Sequence, residues 1–248
     1  MIQTEAIVLH GFDYRETSRI VRLATREVGV VSALARGAKR PKSRYGQGLD
    51  LFTSGIAHLT IHPTRDLHTL TGFDASRARP RLAASLHRFA ASAALAELCL
   101  RFGPEDDSGA IHDVLSAGLD AIGEAADVVV VERTLAAGWR LIAELGFAPS
   151  LDTCAACHRP LDAEDEVRFA HRAGGALCRL CAALAPGARA LPAEPRHALL
   201  TWSRAERMEG IEGPTARAHL RLFREFVEEH LADGRQLKAW SAWERGIA

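Results

Sequence analysis

Four of the five cysteines form two close pairs whose spacing is typical of a metal site. Cys154 and Cys157 make the first C-x-x-C pair, Cys178 and Cys181 make the second, and twenty residues separate the pairs. This arrangement brings four thiolates to one point from two turns, as tetrahedral zinc requires. Because four protein ligands leave no position for water or substrate, we predict one structural zinc ion in a module over residues 150–183.

The residues around these pairs leave one other reading open. C-x-x-C pairs also occur in redox-active sites, so a catalytic dithiol is the alternative to zinc. A zinc deaminase is excluded, because its signature needs an H-x-E sequence upstream of the cysteines and none precedes Cys154. The fifth cysteine, Cys99, lies in an apolar helical stretch, which predicts a buried core residue.

Charge is balanced over the whole chain but not along it. The 248 residues carry 31 basic and 31 acidic side chains, yet residues 1–81 contain 13 basic against 7 acidic ones. The basic side chains are concentrated in nine residues that contain no acid: Arg36, Lys39, Arg40, Lys42 and Arg44. Such a block is either a solvated loop or a set of phosphate contacts, and we favour phosphate contacts.

Short segments rich in β-branched residues surround this basic block. Residues 6–10, 19–23, 30–34, 56–62 and 66–73 read as strands, and residues 26–29 as a hairpin connection. Five short strands in about eighty residues favour a small barrel of the OB-fold type, although an open antiparallel sheet would give the same local signals. We predict a nucleic-acid-binding OB-fold over residues 1–79, with Arg15 and Arg19 extending its basic surface. Tyr45, next to Arg44, is a candidate for base stacking.

The hydrophobic period changes to that of helices after Pro80. Apolar residues recur every three or four positions from Leu82 through Leu86 to Phe102, and again from Val128 to Leu145. Further helices are predicted over residues 195–202 and 214–231. Trp240 and Trp243 either pack on the helices, which we favour, or anchor a partner. The fold class is thus α+β and multidomain: a barrel over residues 1–79, then a helical domain over residues 80–248 with the four-cysteine zinc module inserted.

Several of these residues together resemble a known family. The stretch Asp13–Glu16, Thr25, Gly29 and the segment RGAKRPKS at residues 36–43 resemble the N-terminal domain of the recombination mediator family RecO. The resemblance covers nearly the whole chain, since that family has an OB-fold followed by a helical domain with a four-cysteine zinc module in many members. Not every member keeps the cysteines, which implies that the metal maintains structure and performs no chemistry.

The resemblance implies a non-enzymatic DNA repair factor. RecO proteins bind single- and double-stranded DNA, promote strand annealing and, with a RecR-type partner, help load a recombinase onto strands coated by single-strand binding protein. The family's basic loop corresponds here to Arg36, Lys39, Arg40, Lys42 and Arg44. We expect a cytoplasmic protein, nucleoid-associated when on DNA, because the sequence contains no membrane-spanning apolar run and no secretion signal.

Two other classes of function stay open. One is a zinc-stabilised protein-interaction module that does not bind DNA directly. The other is a nuclease using the carboxylates of residues 105–107, although adjacent acids before a helix are more often caps. No P-loop, GxSxG elbow or HExxH pair occurs in the chain, so the sequence favours a protein that is not an enzyme.

Overall fold

The computed structural model describes residues 1–45, 48–104, 109–162, 165–204 and 213–246. These residues form two compact units, Met1–Glu124 and Ala125–Ala248. Our predicted boundary after residue 79 separates the barrel from all the helices, whereas the first compact unit contains the barrel and three helices. The division of the chain into domains at residue 79 therefore stays a prediction.

Five strands of the first unit close into the predicted barrel. They are β1 (Ile2–Tyr14), β2 (Ser18–Thr25), β3 (Val30–Ala35), β4 (Ser54–Thr60) and β5 (Leu67–Arg77), in the order β1-β2-β3-β5-β4. Neighbours pair antiparallel except β3 and β5, whose parallel register runs from Ser32↔Leu67 to Ala35↔Leu70. A register shift in β1 between Val8 and His10 lets this long strand bend, so that it pairs with β2 along one part and β4 along another.

Alternation of buried and partly exposed residues, clearest in β4, supplies part of the barrel interior. In β4, Ala57 and Leu59 are fully buried between partly exposed neighbours, and Val21 is buried in the same way between Ile20 and Arg22 in β2. Leu23 of β2 is also fully buried. These side chains, with Leu70 of β5, fill the barrel and remove the apolar surface that drives folding. The barrel is therefore a packed core, and any ligand must bind on its outer surface or its ends.

Three helices complete the first unit: α1 (Pro80–Ala83), α2 (Leu86–Phe102) and α3 (Ala110–Glu124). Cys99 of α2 is buried, as predicted. Arg79 joins the strands to α3, since its guanidinium donates to the carbonyl of Phe52 at 2.6 Å and to Asp120 at 2.7 Å. Arg22 of β2 donates to the carbonyl of Leu100 at 3.1 Å, so this arginine connects β2 to α2.

The second unit combines helices with a small sheet. After a 3₁₀ turn at Asp127–Val129 come α4 (Val130–Glu144), β6 (Val167–Ala170), β7 (Gly175–Leu177), α5 (Arg179–Ala182), β8 (Arg189–Leu191), α6 (Ala193–Ser203), α7 (Gly213–His230) and α8 (Lys238–Gly246). The sheet order is β7-β6-β8. The sequence did not predict these strands, nor α5 and α8.

Aromatic side chains form the core of the second unit. The Trp139 ring meets Phe223 edge-to-face at 4.9 Å, and Phe223 stacks on Trp240 at 4.1 Å. Trp240 and Trp243 are both fully buried, which confirms the prediction that they pack on the helices. No helix among the described residues is long and apolar enough to cross a membrane.

Candidate metal centre and nucleic-acid interface

The structure brings the four predicted cysteines together. The sulfur atoms of Cys154, Cys157, Cys178 and Cys181 all lie within 4.8 Å of one another. The sulfurs of Cys157 and Cys178 are 3.9 Å apart, close to the roughly 3.8 Å edge of a tetrahedron with metal–sulfur bonds of about 2.3 Å. Two of the cysteines are buried and none is in a disulfide. The cluster therefore fits a tetrahedral metal ion with a closed set of sulfur ligands.

Backbone hydrogen bonds hold the first pair against the second. The turn after Cys154 is closed by its N–H, which donates to the carbonyl of Arg159 at 2.8 Å, and by the N–H of His158, which donates back to the carbonyl of Cys154 at 2.8 Å. His158 adopts a left-handed φ of 58° to make this turn. The N–H of Ala155 donates to the carbonyl of Ala176 at 2.8 Å, so the two pairs are connected through β7.

The surroundings of the sulfur atoms shift the pKa values of three of the four cysteines. Burial by itself would raise the pKa of Cys154, but the backbone N–H groups around its sulfur outweigh burial and lower the pKa to about 6. The backbone N–H of Cys181 likewise lowers the pKa of Cys178. The pKa of Cys181 shifts in the other direction, because hydrogen bonding to the sulfurs of Cys178 and Cys157 raises it to about 12. A positive ion at the cluster would stabilise the thiolate forms of these cysteines.

Arg196 anchors the cysteine module, and sequence reasoning missed it. This arginine of α6 is 4% exposed, and its guanidinium donates to three backbone carbonyls: Leu151 at 2.9 Å, Asp162 at 2.6 Å and Leu161 at 2.7 Å. A single guanidinium thus satisfies carbonyls on either side of the first cysteine pair. No spacing in the sequence indicates this role, because the partners lie at least 34 residues away.

The basic residues predicted to bind DNA lie at one end of the barrel, in the connection that leaves β3. The N–H of Lys39 donates to the carbonyl of Thr17 at 2.9 Å, which fastens this basic loop to the β1–β2 turn. Within the loop, the N–H of Arg40 donates to the carbonyl of Gly37 at 3.1 Å. Gly37 has a φ of 72°, which glycine adopts without steric cost. The fastening places Arg15 of the turn next to the basic loop.

The basic loop and the turn form a concave surface lined by arginines. The cavity has a volume of 660 Å³, and its lining includes Tyr14, Arg15, Arg36, Arg40 and Arg44 but no acidic side chain. Lys42 is exposed on the same loop. Among the described residues, no carboxylate lies within ion-pair distance of Arg15, Arg36, Arg40, Lys42 or Arg44. Such a set of unpaired cations attracts a polyanion.

Lys39 and Arg19 differ from these five cations because they share one carboxylate, that of Asp13. Asp13 accepts from Lys39 at 2.6 Å and lies 3.9 Å from the Arg19 guanidinium. The hydrogen bond from Lys39 and the charges of Lys39 and Arg19 lower the pKa of Asp13, so it is ionised at neutral pH. Lys39 and Arg19 are therefore partly neutralised, whereas the other five cations have no acidic partner among the described residues.

Tyr45 does not fit its predicted role as a stacking platform. Its side chain is only 3% exposed, and its hydroxyl donates to the carbonyl of Leu70 at 2.6 Å. Arg44 lies over the ring at 5.6 Å from its centroid. The ring belongs to the barrel core and leaves no face for a base, so this prediction is corrected: Tyr45 supports the barrel end that presents the arginines. The carboxylates at residues 105–107, considered for a nuclease, lie outside the described residues.

Comparisons with known proteins agree with this architecture. Residues 1–79 match the family model described as "Recombination protein O N terminal", and residues 83–240 match "Recombination protein O C terminal". A protein named "DNA repair protein RecO" from Anaeromyxobacter dehalogenans (strain 2CP-C) is 33% identical over 246 residues, covering 96% of this chain and 94% of the relative. One of the same name from Rubrobacter xylanophilus is 31% identical over 187 residues, covering 75% and 73%.

These matches span both compact units, and their order is the order of the barrel and the helices in the fold. They confirm the resemblance seen in the basic loop and the cysteine pairs, and with it a role in DNA repair and recombination. The chain belongs to the RecO family of DNA repair proteins.

Proposed function

We propose that this chain is a non-enzymatic recombination mediator that binds single- and double-stranded DNA, anneals complementary strands and helps load a recombinase onto protein-coated single strands. A RecR-type protein and single-strand binding protein are the proposed partners. The observation that carries the DNA-binding part is the barrel end, where Arg15, Arg36, Arg40, Lys42 and Arg44 have no acidic partner among the described residues. Lys39 and Arg19 border this surface.

Annealing makes no covalent bond, so it needs only two polyanions held close with their bases free. Arginines that contact phosphates displace condensed counterions and reduce the repulsion between strands, and this contribution carries no sequence information. Planar guanidinium groups suit the task, because each donates two parallel hydrogen bonds to one phosphate. Tyr45 is buried, so it offers no ring face on which a base could stack.

We propose zinc as the ion of the four-cysteine cluster, with one ion per chain. The sulfur-only ligand set and the tetrahedral spacing favour zinc among common ions. When bound, the ion supplies local stability to the module and no chemistry on a substrate, since all four positions are taken by cysteine. The proposed DNA contacts lie in the first compact unit and the cysteines lie in the second.

Binding of a fluorescent single-stranded oligonucleotide over a salt series tests the DNA-binding surface. The test variant changes Arg36, Arg40, Lys42 and Arg44 to alanine. Each lost contact flattens the slope of log K against log salt by about 0.7, so four contacts flatten it by about 2.8. The control variant changes four exposed arginines of the same unit, Arg65, Arg77, Arg81 and Arg101, and removes the same charge.

Equal slopes in the two variants would contradict the proposed surface. Absence of DNA binding by the wild-type chain at low salt would instead favour the protein-interaction module. Annealing is followed with two complementary strands that carry a fluorophore and a quencher. The test variant should slow annealing, whereas the control should resemble the wild type.

A further inference from the structure

A second group of arginines lies in the second compact unit, and neither the sequence motifs nor the family match assigns it a role. Three arginines of α7 occur at i, i+4 and i+7, which places them on one face of the helix: Arg217, Arg221 and Arg224. Arg245 of α8 lines the same cavity, whose volume is 610 Å³. These four residues are called the C-terminal arginine cluster.

The cluster is fixed by the packing of α7 on α8. Phe223 of α7 stacks on Trp240 of α8, and the indole N–H of Trp240 donates to the carbonyl of Leu220 at 3.4 Å. Arg224 is held in place by two acids, at 2.7 Å from Glu244 and 3.1 Å from Glu228. The site is therefore built on two helices that share a rigid aromatic core.

The remaining three arginines of the cluster differ from Arg224. Arg217, Arg221 and Arg245 are exposed, and in the described part of the chain no carboxylate lies within ion-pair distance of them. Glu244 also lines the cavity, but it is engaged by Arg224. Three arginines thus line a concave surface, and the acid that the structure describes there, Glu244, is already paired with Arg224.

A buried hydroxyl at the same place is an independent sign of a ligand. Ser241 of α8 lines the cavity, is 5% exposed, and its Oγ has no hydrogen-bond partner among the residues that the structure describes. A serine inside a helix usually donates to a preceding carbonyl or to water, so an unpartnered buried hydroxyl calls for an explanation. A phosphate oxygen held by the arginines would accept from this hydroxyl.

We infer that the C-terminal arginine cluster binds the phosphate backbone of a second nucleic-acid strand. Arg217 and Arg221 are separated by about 6 Å along the helix axis, so a row of such residues suits a polymer with regularly repeated anions better than a single anion. None of the described residues that line the cavity is aromatic, so we assign the contacts to the backbone and not to the bases. The inference rests on the proposed function, because a mediator that anneals strands must hold two of them.

The test counts how many strands one full-length chain binds. Oligonucleotides of about ten nucleotides fit a single site on an OB-fold, so native mass spectrometry at low salt can separate complexes with one and with two strands. We expect two per chain for the wild type. Changing Arg217, Arg221 and Arg245 to alanine should leave one, changing Arg36, Arg40, Lys42 and Arg44 should also leave one, and combining the two sets should leave none.

A matched control and the possible outcomes separate this inference from the proposed function. The control changes Arg172, Arg179 and Arg235, three exposed arginines of the same unit, and should still bind two strands. If the wild type binds one strand, which the basic-loop variant loses, the second site is refuted and the proposed function stands. If it binds none, both fail. The inference would also be overturned if the variant that lacks Arg217, Arg221 and Arg245 still bound two strands. It would likewise be overturned if an aspartate-rich peptide bound tightly to the C-terminal arginine cluster without changing the number of DNA strands bound.

Discussion

Asp13 is predicted to restrain DNA binding, and its removal should strengthen it. The carboxylate holds Lys39 at 2.6 Å and lies 3.9 Å from Arg19, beside five cations that have no such partner among the described residues. The substitution Asp13→Asn keeps the size of the side chain and removes the charge. Lys39 and Arg19 then become available for phosphates. Because Asp13 is well exposed, the fold should lose little stability, as is usual for surface ion pairs.

The size of the effect follows from counterion release. Each phosphate contact to a single strand contributes about 0.7 to the slope of log K against log salt. Relative to 1 M salt, one such contact raises affinity about fivefold at 0.1 M, and two contacts raise it about 25-fold. We therefore expect Asp13→Asn to bind between about five and 25 times more tightly at 0.1 M salt, with a slope steeper by about 0.7 to 1.4.

Fluorescence anisotropy with a labelled single strand, measured over a salt series, tests this prediction. The control is Asp74→Asn, which removes an exposed carboxylate of the same barrel that pairs with His58 at 2.7 Å and not with a permanent cation. The control should change the slope little. If Asp13→Asn binds no better than the wild type, or if both variants gain equally, then release of Lys39 and Arg19 is not the cause and the reasoning fails.

Two further predictions concern stability. Cys178→Ser should abolish stoichiometric zinc binding and expose the amide of Ala155 to hydrogen exchange while the barrel amides stay protected, because zinc supplies about 10–16 kcal/mol in finger peptides. The control Cys99→Ala, which changes a buried cysteine outside the cluster, should still bind one zinc ion. Unchanged hydrogen exchange in Cys178→Ser would refute a structural ion. Burial lowers the pKa of His219 to about 4, so the unfolded chain takes up a proton between about pH 6.5 and pH 4 that the folded chain does not, and stability falls as pH falls through that window. Urea unfolding should show the wild type losing about 2 kcal/mol more than His219→Phe between pH 7 and pH 5, and parallel losses would contradict this.

The strands of the barrel were predictable because their signals are local. Period-two alternation and β-branched residues mark each strand, as Leu59 shows in β4. Closure by the parallel pairing of β3 and β5 was not predictable, since it joins segments that are distant in sequence. Two apolar residues assigned to helix faces are wrong: Leu86 is 85% exposed at the first position of α2, and Val128 is 82% exposed in the 3₁₀ turn. At element ends, periodicity does not fix orientation.

The candidate sites differ in how much the sequence revealed. The cysteine cluster was predictable because the sequence itself gives both the type and the spacing of the ligands. The strands β6, β7 and β8 were not predictable, because they have only three or four residues each and show no hydrophobic periodicity. Tyr45 was misassigned because its position next to Arg44 says nothing about which way the ring points; only the fold shows it inserted under Leu70. The Asp13–Lys39 pair spans 26 residues and depends on the loop fastening at Thr17.

Pairing, not net charge, determines where a polyanion can bind on this neutral chain. Many of its arginines already have acidic partners: Arg26 meets Glu5 and Asp113 at 2.8 Å, and Arg189 meets Glu225 at 2.8 Å. A phosphate that approached such an arginine would have to displace a carboxylate and leave it near other anions, which offsets the gain. At the barrel end and in the C-terminal arginine cluster no such displacement is needed, apart from Asp13 and the acids at Arg224. Among the described residues, these two places combine several cations that have no acidic partner, and they are where we expect the DNA strands.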